Sequence, residues 1–156
     1  VWWLVSPQNP LKPRAGMADF GERLQFAKRI ARHKRIVVSG LEAELGTRFT
    51  IDTLRALRRR FPGLRFVWLM GSDNLLQISR WRHWQAIFSL VPVAVVARPG
   101  SAAHARTAKP ARRFDAAFRE ANGRFAAASP PIWTILDAKR HPAAASALRS
   151  GLKGWA

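Results

Sequence analysis

Residues 65–81 read RFVWLMGSDNLLQISRW. Arg65–Met70 is nearly all apolar, the pattern of a strand covered on both faces. Gly71-Ser72-Asp73 follows at its C-terminal end, and residues 73–89 then show helical spacing in two pieces, broken around Ser79. A strand that passes into a helix in this way is half of a strand–helix–strand unit, so the neighbouring segments decide whether a parallel sheet follows.

They alternate in the same sense. Val1–Val5 is a short apolar run closed by Ser6-Pro7 and reads as a buried strand. Residues 6–16, SPQNPLKPRAG, hold three prolines and a glycine and predict a loop. Met17, Phe20, Leu24, Ala27 and Ile30 fall at helical spacing, with Asp19 and Glu22 near the start and Arg32, His33 and Lys34 near the end, as the helix dipole favours. Arg35–Ser39 predicts a second strand, and residues 40–49 a polar connection containing Glu42, Glu44 and Gly46. Thr50 reads as an N-cap, followed by Ile51, Leu54, Leu57 and Phe61 on one face until Pro62-Gly63. Pro92–Arg98 is the next strand, and residues 101–111 are aperiodic, which predicts a mobile loop. Phe114, Ala117, Phe118 and Ala121 suggest a helix, Ile132–Leu136 a last strand, and residues 143–151 a last short helix. The expected fold is α/β, a doubly wound parallel sheet forming a single domain over residues 1–156. Ligands of such sheets bind beyond the strand C-termini, so the loops after Val5, Ser39, Met70, Arg98 and Leu136 are the informative ones.

Hydrophobic residues make up 48% of the chain, enough for a core. The absence of cysteine excludes disulfides and thiolate metal sites. No run approaches the roughly 18 apolar residues of a transmembrane helix. The four histidines, His33, His83, His104 and His141, have no metal-ligand spacing, and there is no Walker A, GxGxxG or Gly-x-Ser-x-Gly motif. The formal charge is +18, and 21 of the 27 basic residues are Arg. Three readings fit it: a nucleic-acid binder, an enzyme with polyanionic substrates, or compositional bias in an Ala- and Arg-rich chain.

Four constellations could carry chemistry. The first is Gly71-Ser72-Asp73 with Trp81 and Trp84: Gly71 allows close backbone approach, Asp73 can accept hydrogen bonds from a ribose or amide, and Trp81 offers a stacking face worth about 1–3 kcal/mol per base. Against this, Asp73 could simply cap the next helix and Trp81 could be core. Residues 44–54, ELGTRFTIDTL, offer Thr50 as a helix N-cap with Asp52 and Thr53 in the first turn, a helix start suited to anions and acceptor groups that is also ordinary capping chemistry. Lys12 and Arg14 follow a strand end and could reach phosphates or stay solvated. Ser146 and Arg149 lie three residues apart on one helical face, a hydroxyl and a guanidinium suited to gripping phosphate.

Together these segments resemble the nicotinate-nucleotide adenylyltransferases of the nucleotidylyltransferase superfamily. VWWLVSPQNPLK is similar to the family's second strand and proline-lysine loop, and RFTIDTL to its aromatic-Thr-x-Asp-Thr-Leu segment. FVWLMGSDNLLQISRW carries its Gly-x-Asp and Trp spacing, and VVARPG and HPAAASALR also fit. The resemblance implies attack of the nicotinate mononucleotide phosphate on the α-phosphorus of ATP, with Mg²⁺, giving the deamido dinucleotide and pyrophosphate on the route to NAD. It implies that Trp81 stacks on the pyridine ring, and that Phe49, Thr50 and Asp73 frame the nicotinate nucleotide. Gly71 and Asp73 would lie beside the adenosine ribose, Ser146 and Arg149 at the ATP phosphates, and Lys12 and Arg98 would be weaker substrate-binding candidates. A cytoplasmic enzyme is expected, with no membrane or specific nucleic-acid partner; oligomeric state is left open.

The departures are specific. The family's Gly-Gly-x-Phe-x-Pro-x-His-x-Gly-His motif is absent, and the chain starts about where the second strand should begin, so a first βα unit is expected to be missing. A polypeptide truly beginning at Val1 is expected to have negligible activity, and its catalytic residues are unassigned. Ala144 and Ala145 replace the usual Ser or Thr, and Arg82 stands where many relatives have a second aromatic. Two rival readings remain: a non-catalytic basic nucleic-acid-binding protein, marked by salt-sensitive binding to generic RNA or DNA, and a sister adenylyltransferase with another phosphorylated acceptor.

Overall fold

A computed structural model describes residues 1–7, 17–99 and 101–137. The expected helix at 143–151, together with Lys12, Arg14, Ser146 and Arg149, lies outside the described residues. Two compact units divide the chain, Val1–Leu64 and the part from Arg65 onward. Each is built on its own parallel sheet.

In the first unit β1 (Trp2–Leu4) pairs in parallel with β2 (Val37–Ser39), Trp2 opposite Val37 and Leu4 opposite Ser39. Parallel neighbours need a crossover, and α1 (Phe20–Ile30) supplies it. Asp19 caps α1, its carboxylate accepting from the Gly21 N–H at 2.7 Å. α3 (Thr50–Arg60) buries Ile51, Leu54 and Leu57 as its spacing predicts. Phe61, one residue past it, meets Trp2 edge-on at 5.2 Å.

Three expectations for this unit are corrected. β1 is not a buried strand: Trp2 and Trp3 are 41% and 39% exposed, because β1 has only β2 beside it in a two-stranded sheet. The polar connection contains a short helix, α2 (Leu41–Glu44), started by the Ser39 hydroxyl accepting from the Leu41 N–H and ended at Gly46, whose φ is +61°. Thr50 is the first helical residue rather than the cap; extended Phe49 holds the cap position without a side-chain bond.

In the second unit β3 (Trp68–Gly71), β4 (Val93–Val96) and β5 (Trp133–Leu136) form a parallel sheet in that order. β4 is central, and Val93, Ala94 and Val95 are buried. β3 is an edge strand of this sheet with Leu69 46% exposed, so the expected cover on both faces is incomplete. α4 (Ser72–Gln77) follows β3, and a 3-10 turn at Ile78–Arg80 separates it from α5 (Trp84–Leu90), close to the anticipated break. Leu75, Ile78, Ile87 and Phe88 fill the core. Trp133 is fully buried, and its indole N–H donates to the Phe114 carbonyl at 2.7 Å.

The stretch expected to be a mobile loop is helical: α6 (Ala102–Ala105) and α7 (Lys109–Arg113), with Pro110 in the first turn, where its missing N–H is harmless. Its buried face is Ala105, Ala108 and Ala111, methyl groups too small to register as an apolar stripe. The helix expected from Phe114 to Ala121 reduces to a 3-10 turn, Asp115–Ala117. Phe114 stacks on Phe88 at 4.6 Å, while Phe118 returns to extended backbone and bridges to Trp133. Both rings reach apolar partners without a helix between them. None of the described helices is long and apolar enough to cross a membrane.

Close packing of those alanines yields a test. Ala105→Leu, at a site with no exposed surface, should destabilise the protein by about 1–3 kcal/mol through overpacking, read as a lowered urea midpoint; a mobile loop would accept the change silently.

Candidate active site

β3 passes into α4 with no residue between them: Gly71 ends the strand and Ser72 begins the helix. Gly71 has an ordinary extended backbone (φ −77°, ψ 158°), so left-handed geometry is not what requires glycine here. Close approach is. A Cβ at this position would strike Asp73 Oδ1 and lie 2.7 Å from the Arg98 Cδ.

Ser72 is fully buried. Its Oγ accepts from the Arg98 N–H at 2.9 Å and lies 2.6 Å from Ser101 Oγ. One hydroxyl thus joins the end of β3 to the chain leaving β4. Arg98 then sends its side chain back, donating from Nη1 to Asp73 Oδ2 at 3.1 Å. This ion pair is about half exposed, 42% and 44% for the two side chains, so it orients more than it stabilises; such pairs contribute about 0–1 kcal/mol. Asp73 does not cap α4 with its side chain. Its other oxygen, Oδ1, is buried without a hydrogen-bond partner. A buried acceptor left unpaired is costly, and this one lies at the C-terminal edge of a parallel sheet, where ligands of such folds bind.

Trp81 follows the 3-10 turn in extended conformation, its backbone N–H donating to Ile78 O at 2.8 Å. Its indole is half-buried rather than sealed in the core. His83, in left-handed conformation at φ 48°, then reverses the chain into α5.

In the first unit, Phe49 and Thr50 open α3, both partly exposed. The Phe49 carbonyl accepts from the Asp52 and Thr53 N–H groups at 2.9 and 3.0 Å. Beneath them Thr53, 2% exposed, lies 2.8 Å from Thr47 Oγ1 and donates to Glu42 Oε1 at 3.2 Å. Burial pushes the Glu42 carboxyl above the usual carboxylate range, and hydrogen bonds from Ser6 and Thr53 oppose that shift. A cavity of about 380 Å³ is lined here by Asp19, Phe20, Arg23, Thr47 and Arg48, among others. The Arg23 guanidinium faces inward to main chain, donating to the carbonyls of Ser6, Pro7 and Ala18 at 2.7, 2.8 and 3.0 Å.

Of the residues singled out by sequence, the structure brings Gly71, Asp73 and Arg98 into one contact group. Trp81 stands beyond α4, and Phe49 and Thr50 belong to the other unit. The sequence places Ser72 and Thr53 inside two of the constellations without a role of their own, and singles out neither Ser101 nor Glu42. Ser72 had a usable signal, since it lies between Gly71 and Asp73 at the strand-to-helix joint.

The cytidylyltransferase-like family model matches residues 1–149. A probable nicotinate-nucleotide adenylyltransferase of Cereibacter sphaeroides is 53% identical over 150 residues, covering 96% of this chain and 80% of the relative. A second, of Gluconobacter oxydans, is 45% identical over 157 residues, covering 96% and 77%. Among solved structures, a nicotinic acid mononucleotide adenylyltransferase of Plasmodium falciparum, complexed with APC, aligns with a TM-score of 0.56 at 14% identity, covering 93% of this chain and 61% of that one; it speaks to the fold alone. With parallel strands carrying Gly71, Asp73 and Arg98 at their C-terminal edge, and with identity at this level along nearly its whole length, the chain belongs to the nicotinate-nucleotide adenylyltransferases of the cytidylyltransferase-like family.

Proposed function

We propose that the protein transfers the adenylyl group of ATP to nicotinate mononucleotide, as a cytoplasmic enzyme of NAD biosynthesis whose two units serve one nucleotidylyltransferase domain. The observation that carries this reading is the 53% identity to a probable nicotinate-nucleotide adenylyltransferase across 96% of the chain. A phosphate oxygen of the mononucleotide attacks the α-phosphorus of ATP. The bond from that phosphorus to the bridging oxygen breaks, and pyrophosphate leaves with the electron pair. No covalent enzyme intermediate is needed; catalysis is positioning and charge neutralisation.

The half-exposed Asp73 carboxylate is the acceptor for a nucleotide hydroxyl or amide group, while its buried Oδ1 has no hydrogen-bond partner in the protein. Gly71 leaves the room that the Asp73 and Arg98 side chains occupy, and its place beside the adenosine ribose is assigned on family resemblance. Trp81 presents its half-buried indole to the pyridine ring. Arg98 sets the Asp73 carboxylate and adds positive charge at the sheet edge. Phe49 and Thr50 are assigned to the nicotinate nucleotide, and Lys12, Ser146 and Arg149 to phosphate groups, on family resemblance alone.

The described residues do not fit a protein-held metal: none of their His, Asp and Glu side chains gather in a group of three or more that could hold one. Mg²⁺ would come with ATP rather than be held by these side chains, and would supply charge neutralisation at the phosphates.

The direct test is pyrophosphate release by the full-length protein supplied with ATP and nicotinate mononucleotide. Turnover is expected; none would overturn the reading, and preference for another phosphorylated acceptor would make this a sister enzyme. Trp81→Ala should raise the KM for nicotinate mononucleotide about tenfold or more while moving that for ATP by less than about twofold; equal loss for both substrates would remove the indole from the acceptor side. Gly71→Ala should displace Asp73 and Arg98 together and lower kcat/KM by about a hundredfold or more, whereas near-normal kinetics would show that the close approach is not required.

A further inference from the structure

Glu42 lies on α2, yet its carboxylate gathers three other segments of the first unit. It accepts from Thr53 Oγ1 at 3.2 Å, within the first turn of α3, and from the Ser6 hydroxyl just past β1. Thr53 Oγ1 in turn lies 2.8 Å from Thr47 Oγ1, in the turn that leads to Phe49, and 3.3 Å from the Phe49 carbonyl. An ionised carboxylate can only accept. With Glu42 ionised, Ser6 and Thr53 donate to it, and Thr53, its one hydroxyl proton directed to the carboxylate, accepts from Thr47.

The cost of this arrangement is visible. Burial works against the Glu42 charge, and an apolar side chain would pack among buried neighbours with less loss of solvation. What the charge adds is geometric definition. Phe49 and Thr50 follow Thr47 by two and three residues and precede Thr53, so the dipeptide is bracketed by two hydroxyls hydrogen-bonded to each other, of which Thr53 is held directly by the carboxylate and Thr47 only through Thr53.

We propose that Glu42 is a positioning residue for the acceptor nucleotide: through Thr53 and Thr47 it sets the backbone that presents Phe49 and Thr50, and through Ser6 it ties in the chain just past β1. The inference rests on the reading above, in which Phe49 and Thr50 meet nicotinate mononucleotide. The residue acts through others and touches no reacting atom.

Steady-state kinetics of the full-length protein test it. Glu42→Ala should raise the KM for nicotinate mononucleotide about tenfold, with the KM for ATP and kcat each within about threefold of the parent values. Thr53→Val, which removes the hydroxyl at nearly constant volume, should reproduce that split; Thr53→Ser, which keeps the hydroxyl, should restore parent values. The double variant Glu42→Ala/Thr53→Val should be no worse than either alone, since one connection is cut in both. A lowered Tm with both KM values unmoved, or both KM values raised together, would overturn the proposal and leave Glu42 a structural residue. Should Glu42→Ala fail to fold, the contrast between Thr53→Val and Thr53→Ser decides alone. A parent enzyme that forms no pyrophosphate sinks the adenylyltransferase reading and this inference with it, whereas an active parent with an unmoved acceptor KM in the variants sinks this inference only.

Discussion

Where β3 turns into α4, the buried hydroxyl of Ser72 accepts the Arg98 N–H and shares a hydrogen bond with Ser101, and the candidate site is assembled around that joint. Two strand ends that are neighbours in the sheet are thereby locked at their C-terminal edge. Arg98 starts from a fixed backbone and returns to Asp73, and Gly71 leaves the room both need. Remove the latch and Arg98 loses its origin, Asp73 its orientation. The ion pair on top is half exposed and could not impose this order itself. Buried, neutral hydrogen bonds hold the frame; the charges ride on it.

The parts of the fold legible in the sequence are those built from large apolar side chains. Ile51, Leu54 and Leu57 announced α3, and the PVAVVAR run announced the central strand. Where the core is lined by methyl groups, as at Ala105, Ala108 and Ala111, periodicity carries no contrast and α6 and α7 went unseen. Phe118 misled in the opposite sense: its spacing suited a helix, but its ring meets Trp133 edge-on at 4.9 Å from extended backbone. Tertiary contact overrode local pattern there. In the site, Gly71, Asp73 and Trp81 stood out because a glycine and a carboxylate end an apolar strand with an indole eight residues on, the spacing of the family the sequence resembles. The roles of Ser72, Ser101, Thr53 and Glu42 were not legible, since hydroxyls and a glutamate acquire meaning only through partners distant in sequence.

The charge of +18 is open to the same distinction. Several arginines are engaged with the protein itself. Arg23 gathers three main-chain carbonyls, and Arg119 donates to those of Ala116 and Phe118. Arg106 lies 3.9 Å above the Phe118 ring while pairing with Asp115 at 3.2 Å. A planar fork with five donors closes irregular turns that lack regular backbone partners. Part of the basic composition is thus architectural, and counting charges overstates the field available to an anionic partner.

The direct passage from β3 into α4 divides this region of the second unit into a stiff half and an adjustable half. Gly71 and Asp73 inherit the rigidity of the sheet, with no intervening residue to lengthen or shorten. Past α4 the backbone is irregular, running through the 3-10 turn to Trp81 and the left-handed His83. Substitution and insertion are tolerated more readily in such a segment than in a strand end. Divergence toward a different acceptor would therefore accumulate around residues 81–83, where Arg82 is already exposed, while the 71–73 joint stays as it is.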